Sequence, residues 1–195
     1  MGRILLAGLL GGVAMFIWTS LAHTVLPLGQ MGIQEIPDDA PVIATLQGAL
    51  GDRDGLYIFP GSGNGAKSEN AASRETMEAR TAKEASGLLV YHPPGRDTAM
   101  GPYIGKELTL EIFQALILAW LIATSTASGL GGRTLAAAAV GLVVAFATNG
   151  SNRIWYGFPT DFTYAAILIQ VVGYTVAGAV IAVILGMKRR TAASG

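Results

Sequence analysis

Only a few side chains able to do chemistry sit in or beside the apolar stretches of this sequence, and they fall at corresponding ends of those stretches. His23 is near the end of the first apolar run, residues 4–26, and Glu111 is near the start of the second, residues 108–127. Asn149 closes the third run, residues 134–148, while Arg153 and Asp161 flank the turn before the fourth, residues 162–187, in which Gln170 lies deeper. A histidine can hold a ligand or pass a proton near neutral pH. Ionisable groups inside apolar spans are costly and often functional. His23, Glu111, Asn149, Arg153 and Asp161 are therefore the expected ligand-binding set. The plainer reading is structural: His23 can make a packing hydrogen bond, and Arg153 can pair with Glu111 or Asp161 purely to satisfy charge. His92, beside Pro93 in a loop, is expected to be inert.

The types of residue that are missing narrow the chemistry further. There is no cysteine, which excludes disulfides, thiolate metal sites and thiol nucleophiles. No glycine-rich phosphate loop, serine nucleophile elbow or HExxH is present. Two histidines, one of them outside the apolar runs, cannot supply a bis-histidine haem between helices. Nothing in the sequence names a catalytic residue, a metal or a cofactor. Net charge is zero with no basic block, so nucleic acid is not an expected partner.

The elements that must position these groups are read from the apolar runs themselves. Charged residues make up 13% of the 195-residue chain, about half the share usual in soluble domains, and they concentrate in residues 26–107. A helix needs about 20 mainly apolar residues to cross a bilayer, and the four runs meet that need, the third only with Asn149 and Gly150 added. The expected fold is an all-α membrane protein of four transmembrane helices, with a small α/β extracytoplasmic insert between the first and second. This divides the chain into a first span at 1–26, the insert at 27–107, a three-helix region at 108–187 and a cytoplasmic tail at 188–195. The alternative for the first run is a cleaved signal peptide, with Ser20-Leu21-Ala22 as its small-x-small site.

Within the insert, residues 38–51 predict a short helix, with Asp38 or Asp39 as N-cap and Pro41 in the first turn. Residues 55–61 and 87–95 each begin at Gly, are rich in aromatic and β-branched residues, and end at Pro-Gly; they predict two antiparallel strands. Residues 69–85, with Arg74/Glu78 and Arg80/Glu84 spaced for i,i+4 pairs and only Met77 large and apolar, predict a solvated helix or a mobile segment.

Small residues recur at four-residue spacing in every span: Gly8 and Gly12; Ala115, Ala119, Ala123 and Ala127; Ala137, Gly141 and Ala145; Gly178, Ala182 and Gly186. Such ridges let helices pack closely in lipid, and the Gly8/Gly12 ridge is an alternative docking face for a partner subunit. The favoured function is an integral accessory or structural subunit that packs with a larger membrane complex or with itself. The alternative is a small membrane enzyme or proton-coupled carrier using His23 and Glu111 near the outer membrane surface, and a self-associating pore is the weakest option.

Orientation follows the basic residues. Arg3, the turn at residues 128–133 with Arg133, and the tail with Lys188, Arg189 and Arg190 contain no acid, which predicts an inner-membrane, multi-pass chain with both termini cytoplasmic. Trp155, Tyr156 and Phe158 suit an aromatic belt at the other surface. A reporter fused after Arg190 is expected to read cytoplasm and one inserted at Gly63 the outer compartment; both reading the same side would refute the four-span topology.

Overall fold

The structure is a computed structural model that describes residues 1–61 and 71–187, with residues 71–74 described by backbone alone. The glycine-rich lead-in at Gly63 and Gly65, the Arg74/Glu78 pair and the basic tail at Lys188, Arg189 and Arg190 lie outside the described side chains. The chain runs α1 (Gly2–Thr24), a 3-10 turn (Pro27–Gln30), α2 (Ala40–Leu50), β1 (Gly55–Phe59), α3 (Ala71–Thr81), β2 (Gly87–Tyr91), α4 (Met100–Thr124), α5 (Gly129–Ala145), a π turn (Phe146–Gly150), α6 (Ser151–Tyr156) and α7 (Thr160–Gly186). Among the described residues, α1, α4, the continuous stretch Gly129–Tyr156 and α7 are long and apolar enough to cross a membrane. Two compact units result: Met1–Ile33 together with the chain from Ala99 onward, and Gln34–Thr98.

Two expected loops are helical instead. The turn expected at residues 128–133 is already inside α5 from Gly129, since a glycine costs a helix only about 1 kcal/mol relative to alanine. The loop expected after Asn149 continues as the π turn and α6, and Gly157 ends it in the left-handed region (φ 68°) that favours glycine. Similarly, α4 begins at Met100, ahead of the apolar run at 108, because Tyr103, Lys106 and Glu107 suit a helix without being lipophilic.

The helical unit is assembled from antiparallel pairs. The Arg3 guanidinium donates to the Ile184 carbonyl (3.1 Å) and the Trp18 indole to that of Ile169 (2.9 Å), which fixes α1 against α7 along most of their length. On α1's other flank, a β-carbon placed on Gly8 would lie 2.7 Å from Cα of Leu116, and one on Gly12 would lie 2.5 Å from Cα of Ile112. The Gly8/Gly12 ridge is therefore occupied by α4 of the same chain. Between α5 and α7, Gly178 receives Ala137, and Gly141 lies against Tyr174 and Val171. Ala123 and Gly186 are left outside these seams.

Side-chain size is distributed inside out. On α1 the buried residues are Ala7, Gly8, Gly11, Gly12, Met15 and Ala22, while Leu5, Leu9, Leu10, Val13 and Ile17 are exposed. The same contrast on α5 buries Ala137, Gly141 and Ala145 and exposes Leu135, Leu142 and Val143. In water such a surface would be a severe aggregation liability.

In the unit Gln34–Thr98, β1 and β2 pair antiparallel with Gly55 opposite Tyr91 and Phe59 opposite Gly87, as the two Gly-to-Pro runs predict. Tyr91 is buried, donates to the Gly51 carbonyl (2.9 Å) and meets the edge of Tyr57 (ring centroids 6.4 Å apart). Arg53 folds back to donate to the Ala49 and Leu50 carbonyls at the end of α2. Asp39 stands at the N-cap of α2 but makes no side-chain capping bond. The Arg80/Glu84 pair forms at 2.7 Å, and hydrogen bonds from Arg80 hold the Glu84 carboxyl below its ordinary range.

Gly141 is the position at which the α5/α7 seam is most simply tested, because an added β-carbon would lie 2.8 Å from the Tyr174 β-carbon. Overpacking a tight interior typically costs about 1–3 kcal/mol. Gly141→Leu is expected to lower the melting temperature in detergent clearly, whereas Leu142→Ile, on the exposed flank, should change it little. Equal stability of the two variants would mean that the seam does not hold α5.

Candidate functional site

The ends of α1, α4 and α7 that lie together enclose a cavity of about 250 Å³. Its polar walls come from Thr19 and His23 on α1, Glu107, Glu111 and Gln114 on α4, and Gln170 and Tyr174 on α7; Met15, Phe162, Ala166 and Ile169 supply apolar wall. These polar positions pair at four-residue spacing: 19 with 23, 107 with 111, and 170 with 174. Each helix therefore presents one polar stripe to the same space.

The chain after α1 closes one side. A β-carbon on Gly29 would lie 2.5 Å from the His23 ring, and Gly32, held at φ +74°, would place one 2.6 Å from the Phe162 backbone nitrogen. Only glycine allows the 3-10 turn to lie so tightly on α1 and α7. Gly29 and Leu28 complete the cavity wall there.

Glu111 is the most constrained member of the set. It is only 3% exposed, and its Oε2 has no hydrogen-bond partner. Thr19, His23 and Glu107 are its polar neighbours. The remaining groups are held in place from behind. The Tyr174 hydroxyl donates to Gln114 Oε1 (2.9 Å), and Asn149 Nδ2 donates to Gln170 Oε1 (2.9 Å) with the Thr148 hydroxyl further off at 3.4 Å. His23 Nδ1 lies 2.9 Å from the Thr19 carbonyl. A carbonyl only accepts, so Nδ1 carries the hydrogen, and Nε2 of the neutral ring is left as an acceptor. Among the described residues no three His, Asp or Glu side chains are grouped so as to hold a metal ion.

Of the expected residues, the structure brings His23 and Glu111 to one cavity, with Asn149 behind it on Gln170. Arg153 and Asp161 are not in its wall. Arg153 donates to the Phe158 carbonyl (3.3 Å) and pairs with neither Glu111 nor Asp161, and Asp161 is exposed in the first turn of α7. Thr19, Glu107, Gln114 and Tyr174 were not anticipated. The four-residue spacing of Thr19, Glu107 and Tyr174 from His23, Glu111 and Gln170 is the signal that could have found three of them, and Gln114 lies three residues after Glu111, on the same face.

No protein-family model, curated protein or solved structure matches the chain. Among the described residues, the fold and the cavity together define a mostly helical protein with four candidate membrane spans and a polar cavity among three of them.

A buried carboxylate oxygen without a partner is a liability to folding. Glu111→Gln, which keeps shape and removes the charge, is expected to stabilise the ligand-free, detergent-solubilised protein by about 1–3 kcal/mol, read as a higher melting temperature. A clear fall would show that the Glu111 carboxylate has a partner in the folded chain.

Proposed function

We propose that the chain is a multi-pass integral membrane protein that binds a small polar ligand, or a proton, in the cavity between α1, α4 and α7, as the first step of transport or catalysis. Glu111 is the anchoring acceptor, and His23 and Glu107 line the route to it. The observation that carries this reading is the unpartnered carboxylate oxygen of Glu111, almost fully buried on the wall of a polar cavity. Stability alone would favour an apolar or amide side chain there, so its retention points to use.

Membrane insertion is supported by the four long apolar helices and by their inside-out side-chain sizes, since lipid does not penalise outward leucines while helix contacts need small residues. Arg3 bonds near the end of α7, so the start of α1 and the end of α7 lie at one end of the bundle. Together with the acid-free basic segments, this supports an inner-membrane protein with both termini cytoplasmic and the cavity toward the outer surface. Trp155, at 77% exposure, and its neighbours Ile154 and Tyr156 suit the interface at that end.

A role as an accessory subunit is the second reading. Its support is the unit Gln34–Thr98, where Leu56, Ile58 and Val90 remain exposed on two short strands. The two readings separate in one experiment: the protein is purified in mild detergent and analysed by native mass spectrometry. A bound small molecule that is lost from Glu111→Gln is expected. A stoichiometric protein partner with no small molecule would favour the accessory role instead.

A further inference from the structure

The cavity has a definite electrical character. Two carboxylates, Glu107 and Glu111, lie on its wall, and no lysine or arginine does. Lys106, next in sequence, is 5.6 Å from the ring of Tyr103 and is not a wall residue. In its neutral form His23 offers Nε2 as an acceptor, because Nδ1 donates to the Thr19 carbonyl. The amide oxygens of Gln114 and Gln170 accept bonds from Tyr174 and Asn149, and both side chains are uncharged. The aromatic ring of Phe162 and that of Tyr174 add faces that attract positive charge. Among the described residues, an anion would meet two carboxylates and no lysine or arginine on the wall.

We propose that the ligand of this cavity is a small organic cation, an ammonium group on an apolar body, which places its positive charge against Glu111. This rests on the reading of the cavity as a binding site. A cavity of about 150 Å³ holds benzene, so the 250 Å³ here suits a ligand of about ten non-hydrogen atoms. The ammonium supplies the partner that Glu111 Oε2 lacks. Glu107, exposed one turn before Glu111, draws the cation to the mouth. Met15, Ala166 and Ile169 contact the apolar body.

Three probes of one size separate charge from shape: benzylamine, benzyl alcohol and benzoate. Each is titrated into the full chain in mild detergent at neutral pH, with binding read by saturation-transfer NMR and by the melting temperature. Benzylamine is expected to bind saturably and at least about tenfold more tightly than benzyl alcohol, as a hydrogen-bonded charge requires, with benzoate weakest. Glu111→Gln should lose about tenfold or more of the benzylamine affinity, and Glu107→Gln should lose only a few-fold. Benzyl alcohol binding as tightly as benzylamine, or benzoate binding best, overturns the cation assignment while leaving a binding cavity in place. Undiminished benzylamine binding in Glu111→Gln also overturns it. Failure of all three probes on a cooperatively melting native protein that carries no co-purified small molecule overturns both the assignment and the binding reading. The comparison of the three probes on the native chain needs no variant to fold.

Discussion

Where α1 meets α4, Gly8 and Gly12 bring two backbones so close that a β-carbon at either would collide with the opposite main chain, and between α5 and α7 a β-carbon on Gly178 would collide with that of Ala137. The rest of the helical unit depends on these approaches. Helices that are apolar on every side have no amphipathic face to direct them. Their contacts must come from dispersion between surfaces that fit, and small residues give the largest area of backbone contact. Once Gly8 and Gly12 fix α4 on one flank of α1, and the Arg3 and Trp18 hydrogen bonds fix α7 on the other, the polar stripes of all three helices have to meet at one end.

Much of this was legible in the sequence. The four apolar runs mark the four long helices, the four-residue small ridges mark the seams, and the two Gly-to-Pro runs mark the strand pair. That His23 and Glu111 lie at matching ends follows from counting along antiparallel helices. Periodicity also shows which residues share a face of one helix. It does not show which helix that face meets, so the Gly8/Gly12 ridge, read first as intramolecular, left a docking surface as the alternative. For the same reason Gln114 and Tyr174, hydrogen-bonded across the α4/α7 seam, could not be paired from their positions alone. The 3-10 turn over His23 was also hidden, because Gly29 and Gly32 act through backbone proximity and leave no hydropathy signal.

Arg153 parts from Asn149 at an irregular turn. In an uninterrupted α-helix each four-residue step turns by about 40°, so Ala137, Gly141, Ala145, Asn149 and Arg153 would sweep about 160° around the axis rather than share one face. The π turn at Phe146–Gly150 inserts a residue into that count, which rotates everything after it by about 100°. Asn149, inside the turn, reaches both the Ala145 carbonyl and Gln170, whereas Arg153, beyond it, folds onto the Phe158 carbonyl. Two residues that the sequence groups together thus end with different partners. Asn149, an uncharged donor, stands behind the cavity on Gln170, while the Arg153 guanidinium is out of its wall. The charged groups that the described residues place on that wall are therefore the Glu107 and Glu111 carboxylates and, when protonated, His23.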